Sequence, residues 1–303
     1  MELRHIRYFL AVADEGNFTR AAARLGIGQP PLSLQIRDLE AEVGAALFHR
    51  LPHGAALTEA GQAFLEAVQP LPGQAADAVQ RARRAARGEA GQLSLGFTGS
   101  VALSPLLPAC IRAFRQQFPA VDLRVEEANS VLLMQGLLAQ RLDVAILRPS
   151  QSDPPEVQVQ PLIEEPLAAV LPATHAAARG RGGLDLALLR HDPFILTPRP
   201  VGISLHDGVL AACREAGFEP ERGPLAPQIA SVLSLVSAEL GVSLLPASLR
   251  QLSVQGVVWR PLRRSSIRAG LAVAHRRGPV SQMVLNFAQV ARTMARAMGP
   301  DLR

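Results

Sequence analysis

Three short stretches of the sequence carry side chains suited to holding an organic anion. They are Thr98-Gly99-Ser100, Asn129-Ser130 and Arg148. Each follows a predicted strand, and the first two also open a predicted helix. Free N–H groups and a partial positive charge at a helix start favour a carboxylate, and a guanidinium adds a bidentate clamp. The pattern therefore favours a carboxylate-binding site, although simple N-capping explains either serine taken alone.

A fourth stretch offers an opposing wall for this site. Residues 197–204 read Thr-Pro-Arg-Pro-Val-Gly-Ile-Ser, a proline-rich turn that enters a predicted helix. Backbone N–H groups at the start of that helix can face the first three stretches across a crevice. We expect four residues to contribute here, namely Pro200, Gly202, Ile203 and Ser204.

Other site chemistries lack their sequence signals. Residues 202–206 contain the first glycine and the serine of a hydrolase nucleophile elbow but not its second glycine. The seven histidines show no paired spacing with carboxylates that predicts a metal site. Cys110 and Cys213 lie far apart on predicted helices, and we interpret them as buried, reduced thiols. We therefore predict a binding protein rather than an enzyme, with no metal and no cofactor.

The elements that must position these residues alternate between strand and helix. A first unit has predicted strands at 93–97, 121–126 and 144–147 and helices at 103–117 and 131–140. A second unit, roughly 163–265, has strands at 194–196 and 242–245 and helices at 204–216 and 231–240. The chain crosses back near 267–275 and ends on a helix at 280–298. This order predicts two α/β lobes with mostly parallel sheets, and ligands bind beyond the carboxyl ends of such strands.

The first 60 residues follow a different pattern. Residues 18–25 and 30–43 predict two short helices joined by Gly26-Ile27-Gly28, with Pro30 in the first turn of the second helix. Apolar residues recur at helical spacing in that helix and in a preceding one: Leu32, Ile36, Leu39 and Val43, and Leu3, Ile6, Leu10 and Ala13. The opposite face of the second helix is left free for a DNA major groove, although an ordinary helical hairpin has the same pattern.

A β-wing is predicted directly after these helices. Two short extended segments, at 47–50 and 55–58, flank His53-Gly54. Arg50 and His53 then lie near the tip of the wing, where a wing meets the sugar-phosphate backbone. The two patterns together predict a winged helix-turn-helix.

The quoted segments resemble those of LysR-type transcriptional regulators. The likeness is carried by Leu3-Arg-His-Ile-Arg-Tyr-Phe9, Gln29-Pro-Pro-Leu-Ser33, Leu47-Phe-His-Arg50 and Leu57-Thr-Glu-Ala-Gly61, and it continues through the chain. The resemblance implies a cytoplasmic DNA-binding regulator that binds a double-stranded operator as a dimer of dimers. It also implies a winged helix-turn-helix domain at 1–58, a linker and dimerisation helix at 59–89, and a periplasmic-binding-protein-like effector domain at 90–303. The lobes of the effector domain are expected at about 90–162 with 267–303, and at about 163–266.

Within this family the chain is most similar to the subgroup that controls catechol, benzoate and chlorocatechol degradation. Gly96-Phe97, Gly99-Ser100 and Val242-Ser-Leu-Leu-Pro-Ala-Ser248 carry that likeness. It implies a small carboxylate effector, either an aromatic acid or a muconate-like dicarboxylate, contacted by Ser100, Ser130 and Arg148. Ile203 stands where some members have an aromatic contact, so the identity of the effector does not carry over.

The resemblance also implies which residues contact DNA. They are Arg20, Gln29, Pro30, Pro31, Ser33, Leu34, Arg37, Arg50 and His53. Family members usually place a polar side chain at position 34, whereas leucine contacts only a thymine methyl group. We therefore expect base readout from Gln29, the two prolines and Arg37, with Ser33 on a phosphate.

Two further observations bear on organisation. Pro70 and Pro72 interrupt the expected linker helix and predict a kink between Gln69 and Gly73. No run approaches 18 uncharged apolar residues, and the N-terminus lacks an export signal, so we expect no membrane association.

The alternative function is a small-molecule sensor or solute-binding protein without DNA function, because the C-terminal two-thirds would look the same. A solute receptor, however, needs no winged helix.

Overall fold

The computed structural model describes residues 1–52 and 54–298, which form two compact units, Met1–Arg83 and Arg84–Arg303. The helices and strands of the first unit follow the predicted order. They are α1 (Leu3–Glu15), α2 (Phe18–Leu25), α3 (Gln29–Val43), β1 (Phe48–Leu51), β2 (Gly54–Leu57), α4 (Glu59–Val68) and α5 (Leu71–Ala86), the last of which runs into the second unit. The helix-turn-helix and the two wing strands are therefore present.

Local signals explain the elements of the first unit. The side chain of Asn17 accepts hydrogen bonds from the first N–H groups of α2, and Gly26 ends that helix at a φ of 69°. The Glu40 carboxylate of α3 accepts from the N–H groups of Leu47 and Phe48, at 2.8 and 3.1 Å. This pair of bonds fixes the start of the wing against α3.

The packed faces differ in part from the predicted stripes. Leu3 and Val43, expected in the core, are 51% and 40% exposed. The buried face of α1 is instead made by Ile6, Phe9 and Val12, because Phe9 packs against the aromatic rings of the wing and α4. Val43 lies in the last turn of α3, beyond the reach of that core.

The wing and the linker match the sequence interpretation. Strands β1 and β2 pair antiparallel from Phe48 opposite Leu57 to Leu51 opposite Gly54. His53, predicted at the tip, lies outside the described residues. The predicted break is present, since α4 ends at Val68 and α5 begins at Leu71. None of the side chains of α5 is buried.

The second unit contains the predicted alternation of strands and helices. Its strands are β3 (Ala90–Phe97), β4 (Ala120–Glu127), β5 (Val144–Leu147), β6 (Val157–Pro172), β7 (Pro193–Leu196), β8 (Glu221–Leu225), β9 (Ser243–Pro246), β10 (Val257–Pro261) and β11 (Arg268–Arg276). Its helices are α6 (Gly99–Ala102), α7 (Leu106–Gln117), α8 (Ser130–Leu138), α9 (Ile203–Glu215), α10 (Ile229–Ser237) and α11 (Gln282–Ala297). Within the described residues, no helix is both long enough and apolar enough to cross a membrane.

Two lobes share the long strand β6. In the first lobe the strand order is β4-β3-β5-β11-β6, with α7 and α11 packed on one face and α8 on the other. In the second lobe β6 lies between β9 and β10, and β7 pairs with β8. A bridge from Phe194 to Val242 joins β7 to the start of β9. In the second lobe α9 and α10 pack in two separate cores, so each sheet has a helix-covered core on both faces.

The sheets are mixed, which corrects the expectation of mostly parallel strands. Strands β3, β4 and β5 are parallel, whereas β6 and β11 run antiparallel to their neighbours because they carry the chain between the lobes. Residues 157–166 of β6 pair with β11, and residues 167–172 pair with the strands of the second lobe. The first crossover therefore falls near Pro166, a few residues beyond the approximate boundary expected from the sequence.

Candidate functional site

A cavity of about 490 Å³ lies between the two lobes of the second unit. Eight of the ten residues predicted for the crevice line it: Thr98, Gly99, Ser100, Asn129, Ser130, Arg148, Gly202 and Ser204. Pro200 and Ile203 do not, which corrects the prediction for these two. The turn at 198–202 presents Val201 and Gly202 to the cavity instead. The stretches chosen from the sequence thus do meet at one place.

The cavity lies where strands end in both lobes. Thr98 follows β3 and Arg148 follows β5 in the first lobe. In the second lobe Thr197 follows β7, and Gln228 comes soon after β8. The sequence prediction placed Thr197 in the opposing stretch without selecting it as a site residue, and it missed Gln228, although the rule that pointed to Thr98 also applies to β7 and β8.

The starts of three helices face this cavity. Asn129 caps α8, because its side-chain oxygen accepts from the N–H group of Leu132 at 2.9 Å. The N-cap residues of α9 and α10, Gly202 and Gln228, make no side-chain cap hydrogen bond. The first N–H groups of α9 and α10 are therefore open to an acceptor on a ligand. Asn129 rather than Ser130 is therefore the cap of α8, so simple N-capping does not explain that serine, and the amide nitrogen of Asn129 is still available for a ligand.

Arg148 lies at the back of the cavity with its guanidinium already engaged. Its Nε donates to the Ser100 hydroxyl at 3.0 Å, and one terminal nitrogen donates to the Glu165 carboxylate at 3.0 Å. A third, longer contact of 3.4 Å reaches the carbonyl of Gly270. Three of the five guanidinium N–H groups therefore have protein acceptors. Because Ser100 accepts from Arg148, its own hydrogen is free to bond with Thr98, 3.3 Å away, or with a ligand.

The ion pair of Arg148 and Glu165 is deeply buried. Both side chains are 2% exposed. Burial lowers the pKa of Arg148, and the Glu165 carboxylate opposes that shift. The second oxygen of Glu165 accepts from the backbone N–H group of Ser248, in the second lobe, at 2.8 Å. Glu165 therefore balances the charge of Arg148, and only the N–H groups without a protein acceptor remain for the bidentate clamp that was expected from the sequence.

A second carboxylate reaches the cavity from β4. Glu127 is the last residue of that strand and lies beside Gly99, where a Cβ atom would come within 2.8 Å of its Oε1. Glu127 and Arg148 are the charged residues that line the cavity. Glu127 was not among the residues predicted from the sequence.

The exposed face of α3 matches the predicted DNA-facing surface except at one position. Gln29, Pro30, Pro31 and Arg37 are exposed, and Leu34 is 55% exposed. Ser33 is only 7% exposed, and its hydroxyl accepts from the Gln29 side chain at 2.8 Å. Ser33 therefore lies on the packed side of α3, and this geometry does not present it to a phosphate as we predicted.

Three arginines border this face in different states. The Arg20 guanidinium donates to the carbonyl of Glu15 and lies 3.6 Å from its carboxylate. The guanidinium carbon of Arg50, on β1, lies 5.2 Å from the centre of the Phe18 ring. Arg37 makes no side-chain hydrogen bond or ion pair with any described residue. Arg50 likewise has no hydrogen bond or ion pair among the described residues, so Arg37 differs from Arg20 in its free donors and from Arg50 in having no ring contact.

Comparisons with known proteins cover nearly the whole chain. A family model described as "Bacterial regulatory helix-turn-helix protein, lysR family" matches residues 3–62. A second, described as "LysR substrate binding domain", matches residues 86–296. The two matched regions correspond to the helix-turn-helix with its wing and to the two-lobed unit.

Individual relatives agree with these matches. The chain is 38% identical to the HTH-type transcriptional regulator BudR of Raoultella terrigena, over 96% of this chain and 100% of BudR. It is 36% identical to the HTH-type transcriptional regulator CatR of Pseudomonas putida, over 94% and 96%. The crystal structure of full-length CbnR complexed with its target DNA superposes with a TM-score of 0.82 at 28% identity, covering 97% of this chain and 100% of CbnR.

Proposed function

This chain belongs to the LysR family of bacterial transcriptional regulators, and we propose that it binds a double-stranded operator and responds to a small carboxylate held between its two lobes. It is a DNA-binding regulator with an effector-binding domain rather than an enzyme. The alternative of a solute-binding protein without DNA function is wrong, because residues 3–62 form the DNA-binding module of the family. The proposal therefore concerns which residues contact the operator and what the effector is.

The observation that carries the effector proposal is the convergence of several anion-binding groups on one cavity. The open starts of α9 and α10 face the Ser100 hydroxyl and the Arg148 guanidinium across it. Such groups favour a carboxylate, since backbone N–H groups and a hydroxyl replace the hydrogen bonds that it loses on leaving water. The sequence resemblance to the subgroup that controls catechol, benzoate and chlorocatechol degradation supports an aromatic acid or a dicarboxylate as the class to test first.

For the operator, we propose contacts from α3 and the wing. The exposed residues Gln29, Pro30, Pro31, Leu34 and Arg37 approach the base edges, while Arg20 and Arg50 contact the phosphate backbone. The structure of CbnR with its target DNA supports double-stranded DNA as the partner. Since the proposed operator is bacterial DNA, we also propose a cytoplasmic location.

We also propose the assembly and domain limits implied by the family. Helix α5 has no buried side chain within the single chain, which supports pairing of the 59–89 segment with a second copy. The family resemblance, rather than this helix, is the ground for proposing that two such dimers associate as a dimer of dimers. The DNA-binding domain spans 1–58 and the effector domain spans 90–303.

Calorimetric titration with small aromatic and dicarboxylic acids tests the effector proposal. Ser100→Ala and Ser130→Ala should each weaken binding of an active acid by about 10- to 150-fold, since a hydrogen bond to a charged group contributes about 1.5–3 kcal/mol. These variants are better tests than Arg148→Ala, which leaves Glu165 unpaired in the interior. Ser152→Ala, exposed and outside the cavity, is the matched control. Unchanged affinity in both serine variants would place the effector elsewhere.

A further inference from the structure

We propose that Glu127 makes this cleft selective for a monocarboxylate that carries an ammonium group next to its carboxylate, as an α-amino acid does. This inference rests on the proposed function, because it assumes that a carboxylate effector binds between the lobes. It differs from the family-based expectation of an aromatic acid or a dicarboxylate, and it comes from the charges around the cavity.

The first step is the position of the Glu127 carboxylate. Its Oε1 lies so close to Gly99 that a Cβ atom there would come within 2.8 Å of it. Gly99 is followed directly by Ser100, whose hydroxyl we assign to the effector carboxylate. The Glu127 carboxylate, an acceptor, thus lies next to the segment that carries the Ser100 hydroxyl, a donor.

The second step is that Glu127 has not already been neutralised. It makes no hydrogen bond or ion pair with any described residue, whereas its neighbour Glu126 is paired with Arg141. Adjacent residues of a strand point to opposite sides, so the two carboxylates have different surroundings. Glu127 is therefore available to a ligand, and Glu126 is not.

The third step is the charge balance. Arg148 contributes one positive charge at the cavity, and Glu165 directly behind it contributes one negative charge at 3.0 Å. Glu127 adds a second negative charge at the cavity wall. The three groups sum to one negative charge, so a dianion enters a site that already carries excess negative charge. A zwitterion places its carboxylate on Ser100 and its ammonium on Glu127, and it adds no net charge.

The remaining wall indicates the side chain of such a ligand. Leu103 of the first lobe and Leu205 and Ile229 of the second line the cavity together with Ala102 and Ala230. Apart from Glu127 and Arg148, no charged residue lines it. Within the described residues, this surface fits a small apolar side chain, so the class we infer is an apolar α-amino acid.

The experiment uses the full chain and matched ligand pairs that differ only in the amino group. They are L-leucine with 4-methylpentanoate and L-phenylalanine with 3-phenylpropanoate, titrated calorimetrically at one pH near neutrality alongside benzoate and muconate. The amino acid of a pair should bind about 5-fold more tightly or better, the size of a partly exposed charge pair. Glu127→Gln should abolish that preference, and Glu126→Gln should retain it.

Each outcome supports or overturns a defined statement. Tighter binding of the amino acid, lost in Glu127→Gln alone, supports the inference. If the acids without an amino group bind as tightly as their partners, or if Glu127→Gln leaves the ratio unchanged, the role of Glu127 is overturned while the carboxylate site stands. If only benzoate or muconate binds and Ser100→Ala weakens that binding, the role of Glu127 is likewise overturned and the carboxylate site stands. If no acid binds, the proposed effector class fails together with the inference.

Discussion

Replacing Glu165 with glutamine should strongly destabilise the second unit, which contains the two lobes. The substitution keeps the shape of the side chain but leaves the Arg148 guanidinium in the interior without its counter-charge at 3.0 Å. Ser248 also loses a charged acceptor for its N–H group. Removing one partner of a buried pair costs about 3–5 kcal/mol, because the remaining charge stays desolvated. For a unit of this size, that corresponds to a fall in Tm of roughly 6–20 °C.

The only tryptophan of the chain gives a selective assay for this change. Trp259 lies on β10, so its fluorescence in urea reports unfolding of the second unit. Glu126→Gln is the control, because it removes an exposed ion pair and should cost less than about 1 kcal/mol.

A double variant separates the charge effect from a loss of packing. Arg148→Met with Glu165→Leu replaces both charges with apolar groups and should recover most of the stability lost in Glu165→Gln. The reasoning is refuted if Glu165→Gln costs less than about 1 kcal/mol, or if the double variant is less stable than the single one.

Three further predictions concern other parts of the chain. Arg37→Ala should weaken operator binding in a gel-shift assay while changing the free energy of unfolding by less than about 0.5 kcal/mol. An unchanged affinity for the operator would show that Arg37 is not part of the DNA interface. Gly61→Ala should destabilise the first unit by about 1–3 kcal/mol, because a Cβ atom would collide with the carbonyl oxygen of Leu47. Gly73 lies in open space, so Gly73→Ala should not destabilise the unit in this way. Equal melting curves for the two variants would contradict the prediction. Burial raises the pKa of Cys110 and Cys213 to about 12, so a thiol reagent at pH 8 should label them only after denaturation. Unfolded thiols lose their protons above about pH 8.5 while the native ones keep theirs, so the unfolding free energy should fall as the pH rises further.

Residues governed by local rules were predictable from the sequence. Thr98, Asn129 and Arg148 could be assigned to one crevice because the carboxyl ends of parallel strands meet at one edge. The turn between α2 and α3 followed from Gly26 and Pro30, whose backbone preferences depend on no distant contact.

Residues whose roles depend on distant partners were not predictable. Glu165 is close enough to pair with Arg148 only because β6 lies beside β11 in the sheet. No local sequence signal predicts this pairing of the two strands. Strand β6 itself contains Pro161 and Pro166, which argue against a strand in sequence. Pro161 is tolerated because it lies where the register with β11 shifts, between Leu271 and Ala272. Ser33 has the spacing of an exposed residue, but its hydroxyl is engaged by Gln29.

The position of β11 also bears on how the protein is made. This strand fills the space between β5 and β6 in the first lobe, yet it is synthesised after the whole second lobe. Until residue 276 has left the ribosome, the sheet of the first lobe has a gap, and the apolar surface that α11 later covers is open to water. The DNA-binding unit, complete within the first 83 residues, emerges well before that point. A nascent chain therefore carries a finished operator-binding module long before it carries a lobe that can hold an effector.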